Sequence, residues 1–182
     1  MAETAGRPRR SSRATLLDAA AELFLEQGYE RTSIDQVAQR AGVARATFFN
    51  YFAAKGDLLW AELDPLLAEF AADGVASDSR DDAGQALVEL ADKIRSAPVV
   101  MLERELMGTS HDLAAAGLSR MLSLAGVIRD RLHRGGIGSG DAAAISAALV
   151  AAGVAGAVAW LDAGDTRGAL SEHVRRAIDV AS

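Results

Sequence analysis

The sequence predicts an all-α protein, with a three-helix N-terminal domain joined to a larger helical domain and about nine helices in total. Three observations support this fold class. Apolar residues recur every three to four positions in most segments, which is the spacing of one helix face. Strand patterns are nearly missing, and glycines stand where several periodic segments end. Half of the 182 residues are hydrophobic and 24% are charged, as in an ordinary globular protein.

The first predicted helix starts at a serine cap and ends at a glycine. Ser11 or Ser12 can accept a hydrogen bond from a free backbone N–H in the first turn. Gly28 fits the left-handed position that ends such a helix. Between them runs one apolar stripe, formed by Leu16, Leu17, Ala20, Leu23 and Phe24. This stripe predicts a helix that packs one face on its neighbours.

A second helix and a tight turn follow. Ser33 and Gln36 form an S-x-x-Q capping box, in which each side chain accepts a hydrogen bond from the backbone N–H of the other residue. The inner face of the helix is Ile34, Val37, Ala38 and Ala41. Gly42 closes the helix, and only one or two residues separate it from the third. The predicted order is a supporting helix, a second helix, a glycine turn and a third helix. This is the arrangement of a helix-turn-helix DNA-binding domain.

The third helix lies within the stretch GVARATFFNYFAAKGDLLW and has two faces. At about 100° per residue, the predicted inner side is Ala44, Phe48 and Phe52, with Tyr51 at its margin. Ala46 and Asn50 point the opposite way, flanked by Thr47 and Phe49. In a major groove, Phe49 can lie against thymine methyl groups, and Asn50 has the geometry to read adenine. The outward face is therefore predicted to contact DNA.

The charge distribution favours the same interpretation, although the net charge of the chain is −6. Through Lys55 there are eight basic and six acidic residues, whereas the remainder has eleven basic and nineteen acidic residues. Four arginines and no acid lie between Arg7 and Arg13. Such an arm can neutralise phosphates, or it can be a solvated tail. The uneven distribution of charge predicts that the two parts of the chain have different functions.

At these residues the chain resembles the tetracycline-repressor (TetR) family of bacterial transcription regulators. The resemblance runs from Ala20 to Leu59, through AAELFLEQGYERTSIDQVAQRAGVARATFFNYFAAKGDLL, and covers about a quarter of the chain. It implies a ligand-responsive regulator, by default a repressor, that binds a palindromic DNA operator as a homodimer and is released by a small-molecule effector. The alternative is a helical scaffold protein that retains this domain without binding DNA.

The resemblance also implies a DNA-contacting set. Thr32 and Ser33 look like phosphate contacts at the start of the second helix. Phe49 stands where the family usually has a tyrosine, and Tyr51 where histidine is common. Lys55 resembles the phosphate-binding lysine of the family. The full predicted set is Thr32, Ser33, Arg45, Ala46, Thr47, Phe49, Asn50, Tyr51 and Lys55.

The remaining sequence predicts six further helices. Their expected ranges are Lys55–Asp73 with a kink or break at Pro65, Asp81–Ser96, Pro98–Met107, Asp112–His133, Ser139 or Asp141 to Asp162, and Asp165 or Thr166 to Val180. We therefore expect a flexible basic arm at residues 1–13, the DNA-binding domain at 14–55, and an effector-binding and dimerisation domain at 56–182.

The last two helices are the predicted dimer interface. Small side chains allow helix axes to approach closely, and Ala148, Ala152, Ala155 and Ala159 share one side, with Gly153 and Gly156 nearby. The TetR resemblance implies that these helices pair with their mates in a four-helix bundle. The apolar run 142–161 is also about as long as a membrane span, but its alanine and glycine content favours close packing of helices, so no membrane contact is expected.

The resemblance implies a ligand pocket among the central helices, for an apolar or acyl-like effector. Arg104 lies in an otherwise apolar segment, where it can meet an acidic or acyl ligand or pair with Glu105. Large apolar side chains at helical spacing also fit plain core packing. The candidate lining residues are Leu66, Phe70, Met101, Arg104, Met107, His111, Met121 and Trp160.

Enzymatic function is not expected, because the chain shows no catalytic constellation. Its three histidines, His111, His133 and His173, lie in separate segments and form no metal-ligand pair. The chain has no cysteine, so we expect neither disulfides nor a thiolate metal site. No cofactor or metal is expected. The polar N-terminus does not look like a signal peptide, and we expect a cytoplasmic protein.

Overall fold

The helical periodicity of the sequence produces ten α-helices within residues 12–181, the part of the chain that the computed structural model describes. Ser11 and the arginines at positions 7, 9 and 10 lie outside the described residues. The helices are α1 Ser12–Gln27, α2 Ile34–Arg40, α3 Arg45–Phe49, α4 Asp64–Ala72, α5 Arg80–Lys93, α6 Val99–Leu102, α7 Arg104–Met107, α8 Ser110–Arg134, α9 Ser139–Asp162 and α10 Leu170–Val180. Two short 3₁₀ helices span Lys55–Leu59 and Gly164–Thr166. The all-α fold class is confirmed.

The chain folds as two units, which we call the head and the body. The head contains the residues up to Ala61 together with Val99–Leu113, and the body contains Glu62–Pro98 and the residues from Ala114 onward. This division differs from the predicted boundary at residue 55, because a segment distant in sequence packs within the head. The backbone N–H of Tyr29 donates to the carbonyl of Met107 at 2.8 Å.

The core of the head is formed by the predicted apolar stripes of the first three helices. Its buried members include Leu16, Ala20, Leu23, Phe24, Val37, Ala38, Phe48 and Phe52. Leu17 is only half-buried, and Ala44 is exposed because it serves as the N-cap of α3. The predicted inner positions of α3 are therefore confirmed for both phenylalanines and wrong for Ala44.

The local signals at the C-terminal end of α1 and at both ends of α2 are confirmed. Gly28 follows α1 with φ of +86°. Ser33 Oγ accepts from the N–H of Gln36 at 3.2 Å, and the N–H of Ser33 donates to Gln36 Oε1 at 2.8 Å. The reciprocal capping box fixes where α2 begins, and the direction of the turn into α3 follows from Gly42, which also has positive φ.

One predicted helix breaks as expected, and two others differ from the observed ones in continuity or start. The helix expected at Lys55–Asp73 breaks as predicted, since Pro65 lies in the first turn of a separate α4. The helix expected at Pro98–Met107 is divided at Glu103, whose backbone departs from helical geometry. The last helix starts at Leu170 rather than at Asp165 or Thr166, because a 3₁₀ turn occupies those two residues. The other predicted helices are present with small shifts at their ends.

Helix α10 packs along α9 and α5 in the body. It buries Leu170, Val174 and Ile178, the positions of one amphipathic face. Gly156 of α9 lies directly under the α10 backbone: a Cβ at this position would come within 2.8 Å of both the carbonyl oxygen of His173 and Cα of Val174. The close approach of these two helices therefore depends on this glycine.

Helix α9 is long and apolar enough to span a bilayer by length and composition, with a mean hydropathy of 2.1 over its most apolar window. Only 33% of that window is buried within the chain. Val154 and Val158 are among its exposed residues, at 38% and 50% exposure. The helix thus presents an apolar face that the described part of the chain leaves uncovered.

A buried arginine fastens α4 to α8, and no sequence pattern predicted it. Arg131 is 3% exposed, and its guanidinium lies 4.0 Å from the ring centroid of Phe70. Nη2 donates to the carbonyl oxygen of Phe70, in the last turn of α4, and lies 3.6 Å from a carboxylate oxygen of Asp73. A cation at this position stabilises the carbonyl end of α4.

Candidate nucleic-acid interface

Helix α3 and the turn that follows it separate their aromatic residues between the core and the solvent. Phe48 is fully buried and Phe52 is 4% exposed, whereas Phe49 and Tyr51 are 48% and 45% exposed. Asn50, the C-cap of α3, is also exposed. Two neighbouring phenylalanines thus have opposite roles: one holds the helix on the head, and the other extends from it.

The N-terminal end of α3 adds a polar edge to this surface. Ala46 is exposed and Thr47 is half-buried. Arg45 Nη1 lies 2.5 Å from Oδ2 of Asp35 on α2, and both side chains are well exposed. The Arg45 guanidinium also lies 5.7 Å from the ring centroid of Phe49. We define the α3 face as Arg45, Ala46, Phe49, Asn50 and Tyr51.

Thr32 and Ser33 are adjacent in sequence but have different environments. Ser33 is exposed, and its hydroxyl is engaged in the cap of α2. Thr32 is 2% exposed, and its hydroxyl donates to the carbonyl of Gly28 at 2.8 Å. The Thr32 side chain therefore faces the turn after α1, and the predicted phosphate contact at this residue stays a prediction.

Lys55 is half-buried and fastens the same turn from the other side. Its Nζ donates to the carbonyl oxygens of Tyr29 at 2.9 Å and Thr32 at 3.0 Å. The ammonium also lies 3.9 Å from the ring centroid of Tyr29. The ammonium group that the sequence predicted to contact a phosphate thus donates to two backbone carbonyl oxygens. These hydrogen bonds give Lys55 a structural role.

Tyr29 is expected to make the head sensitive to high pH. Burial of the ring is the largest cause that raises the pKa of Tyr29 from 10.0 to about 12, and the negative charges of Asp112, Glu30 and Asp57 add to it. The unfolded chain would lose this proton near pH 10 and the folded chain only near pH 12. The stabilisation is therefore present in full below about pH 10 and is lost as the pH rises from about 10 to about 12.

This pH dependence can be measured by urea unfolding between about pH 9 and about pH 12. We expect Tyr29→Phe to lose less stability over this interval than the wild-type protein. Tyr51→Phe, which removes a tyrosine hydroxyl at an exposed position, is the matched control. Identical profiles for the wild type and Tyr29→Phe would contradict the role assigned to Tyr29.

Other cations of the head also have partners within the chain. Arg13, predicted to belong to the flexible arm, donates from Nη2 to the carbonyl of Ala61 and lies 5.5 Å from the ring centroid of Phe52. Arg40 pairs with Glu26 at 2.6 Å and Glu22 at 3.2 Å. The positive charges of Arg13 and Arg40 are thus engaged by other groups of the head.

The head matches a known family of DNA-binding proteins. Residues 16–61 match the family model of bacterial regulatory proteins of the tetR family. The head is a TetR-family domain. The matched range ends at Ala61, which is also where the first part of the head ends.

The relatives of this chain are transcription regulators rather than enzymes. A Mycobacterium tuberculosis protein named as the mycofactocin biosynthesis transcriptional regulator MftR is 34% identical over 92 residues, which are 50% of this chain and 43% of that protein. The TcmR regulator of Streptomyces glaucescens is 31% identical over 125 residues, 69% of this chain and 54% of that protein. The chain thus spans about half the length of these two relatives.

Solved structures extend the likeness in fold to the body. SmeT, the repressor of a Stenotrophomonas maltophilia multidrug efflux pump, aligns with a TM-score of 0.57 at 16% identity, covering 94% of this chain and 89% of SmeT. At that identity the likeness shows a shared fold. The body therefore shares its helical fold with the corresponding part of SmeT.

The candidate effector residues are distributed over both units. Met101, Arg104, Met107 and His111 belong to the head, and Leu66, Phe70, Met121 and Trp160 belong to the body. Met107 is fully buried, His111 is exposed, and Arg104 donates to the carbonyl of Met101 at 3.1 Å. Trp160 donates from Nε1 to the carbonyl of Gly168 at 3.0 Å. These contacts give Met107 and Trp160 packing roles. Among the eight candidates, Leu66 and Met121 are the half-buried apolar residues of the body.

Proposed function

We propose that this TetR-family protein is a ligand-responsive transcription regulator, by default a repressor, that binds a palindromic operator as a homodimer. One observation carries the proposal: the exposure of Phe49, Asn50 and Tyr51 while Phe48 and Phe52 fix α3 to the core of the head. A helix with a buried side and an exposed side of this composition is suited to entering a major groove. Binding to chromosomal DNA would place the protein in the cytoplasm.

The proposed contacts follow from the chemistry of the α3 face. Asn50 can form two hydrogen bonds with the N6 and N7 atoms of adenine, and Phe49 can contact the methyl group of thymine. Ala46 allows the backbone to approach the bases. The hydroxyl of Tyr51, Ser33 and the half-buried Thr47 are the candidate phosphate contacts. Thr32 is left out of this set because its side chain is buried.

The apolar face of α9 supports the homodimer. Ala148, Ala155 and Ala159 are exposed as the predicted interface requires, while Ala152 is buried within the chain. Val154 and Val158 enlarge the exposed apolar area. A second copy related by two-fold symmetry would remove this surface from water and present two α3 helices about 34–36 Å apart, one turn of B-DNA.

An apolar or acyl-like small molecule is the proposed effector. The half-buried Leu66 and Met121 of the body support this ligand class. The FadR structure of Bacillus subtilis, which shares the fold with a TM-score of 0.52 at 16% identity over 92% of this chain and 96% of FadR, contains stearoyl-CoA. To release DNA, the effector has to bind the non-binding conformation more tightly, and it shifts the equilibrium only by that preference.

Selection from random duplexes is the experiment that tests the function. We expect an enriched sequence with two-fold symmetry, bound with an affinity that falls steeply with salt concentration. Absence of any enriched sequence, together with affinity that does not depend on salt, would favour a scaffold protein that does not bind DNA. An enriched sequence without symmetry would contradict the dimer and leave the DNA contact supported.

Asn50→Ala is expected to relax discrimination at one base pair of each half-site. A bidentate contact between an amide and adenine contributes about 1–3 kcal/mol of discrimination, so the preference at that position should fall about 5- to 150-fold. Affinity for a scrambled duplex measured in parallel is the control and should remain close to wild type. Unchanged discrimination at every position would exclude Asn50 from base recognition.

A further inference from the structure

In the free head, the Arg45 side chain forms an ion pair with an acidic residue on the neighbouring helix. Asp35 lies in the first turn of α2, and Arg45 opens α3. The 2.5 Å ion pair spans the turn between the two helices, and both side chains remain more than half exposed. An exposed carboxylate beside a DNA-binding surface repels DNA phosphates. A contribution to the stability of the head therefore does not by itself explain the ion pair between Asp35 and Arg45.

The position of Arg45 is fixed on two sides. Asp35 pairs with Nη1 of the guanidinium, and the ring centroid of Phe49 lies 5.7 Å from its carbon atom. Phe49 is itself held edge-on against the buried ring of Phe48 at 5.4 Å. The guanidinium is therefore kept on the α3 face, with its charge balanced by a neighbour that is also accessible to solvent.

We propose that Asp35 is a specificity-determining residue that positions Arg45 and competes with DNA phosphates for its charge. The inference rests on the proposed DNA-binding function. On a non-specific duplex, Arg45 stays paired with Asp35 and neutralises no phosphate. On the operator, the closer fit of the α3 face to the groove lets Arg45 leave Asp35 for a base edge, where a guanidinium binds the O6 and N7 atoms of guanine.

The free energies of the ion pair and of a contact with DNA allow such a competition for Arg45. An exposed ion pair is a weak interaction, so a well-formed contact with a base edge can replace it. A loosely held phosphate in a non-specific complex offers less, and the carboxylate of Asp35 repels it. Asp35 thus lowers non-specific affinity more than operator affinity, and its removal should reduce the ratio between them.

The test compares Asp35→Asn with Glu22→Gln in the full-length protein. Both variants remove one negative charge from the head, but Glu22 pairs with Arg40, which Glu26 also holds. We expect Asp35→Asn to raise affinity for a scrambled duplex about threefold and to steepen its log–log salt slope by about 0.9 for each bound head. The salt slope for the selected operator should not change, and Glu22→Gln should leave both slopes as in the wild type.

A double-mutant cycle isolates the role of Arg45. In an Arg45→Met background, Asp35→Asn should no longer steepen the salt slope on the scrambled duplex. A persistent effect in that background, or an equal effect of Glu22→Gln, would overturn the inference while leaving DNA binding intact. Loss of operator affinity in Asp35→Asn would also overturn it, since the carboxylate would then contact a base itself. A wild-type protein without salt-dependent duplex binding would overturn the proposed function and this inference together.

Discussion

Replacing Gly156 with alanine is expected to lower the free energy of unfolding by about 2 kcal/mol, equivalent to a fall in Tm of about 4–8 °C. The added methyl group would lie 2.8 Å from the carbonyl oxygen of His173 and from Cα of Val174. These are backbone atoms, which cannot rotate away as a side chain can. Helix α10 would have to move away from α9, reducing the burial of Val174 and Ile178.

Gly126→Ala, in the middle of α8 in the same unit, is the matched control. A Cβ at Gly126 would have no atom of the described chain within 4 Å. Because alanine has the higher helix propensity, this variant should unfold at the same temperature as the wild type or slightly above it. Thermal unfolding followed by circular dichroism compares the two variants directly. A Gly156→Ala protein as stable as the wild type would show that α9 and α10 are farther apart than described.

Lys55→Met is expected to lower the free energy of unfolding of the head by about 2 kcal/mol. Methionine keeps the length of the side chain but removes both donors to the carbonyl oxygens of Tyr29 and Thr32. It also removes the cation above the ring of Tyr29. Because this turn precedes α2, its loosening should weaken binding to the operator and to a scrambled duplex by about the same factor.

Urea unfolding and duplex binding at several salt concentrations measure the two effects of Lys55→Met. Lys93→Met is the control, since Lys93 is exposed and pairs with Glu69 on the surface of the body. It should leave both stability and DNA binding close to wild type. A Lys55→Met protein of normal stability with a flatter salt slope would assign Lys55 to phosphate contact, as the sequence suggested, and contradict its structural role.

The architecture of the head could be predicted because its signals are local. The capping box of Ser33 and Gln36 and the left-handed turn at Gly28 involve residues close together in the sequence. The apolar stripe of α1 and the inner phenylalanines of α3 follow from helical periodicity alone. For the same reason, exposure of Phe49 and Asn50 could be predicted, since 100° per residue places them away from Phe48.

The roles of individual polar residues could not be predicted in the same way. Thr32 and Ser33 are neighbours with the same kind of side chain, yet one is buried and the other exposed. The partners of Lys55 are carbonyl oxygens more than twenty residues earlier in the chain, and those of Arg131 lie about sixty residues earlier. A basic residue in a sequence pattern does not show which acceptor it meets.

The sequence by itself determined the all-α class, the helix-turn-helix order and the exposed face of α3, because helix caps, glycine turns and periodicity act over a few residues. Only the tertiary structure decided that Val99–Leu113 joins the head, that Gly156 lies against α10, and that Asp35 holds Arg45. These features depend on which distant backbone and charged groups meet after folding. Such tertiary contacts are set by the packing of whole helices, and the order of residue types along the sequence does not specify them directly.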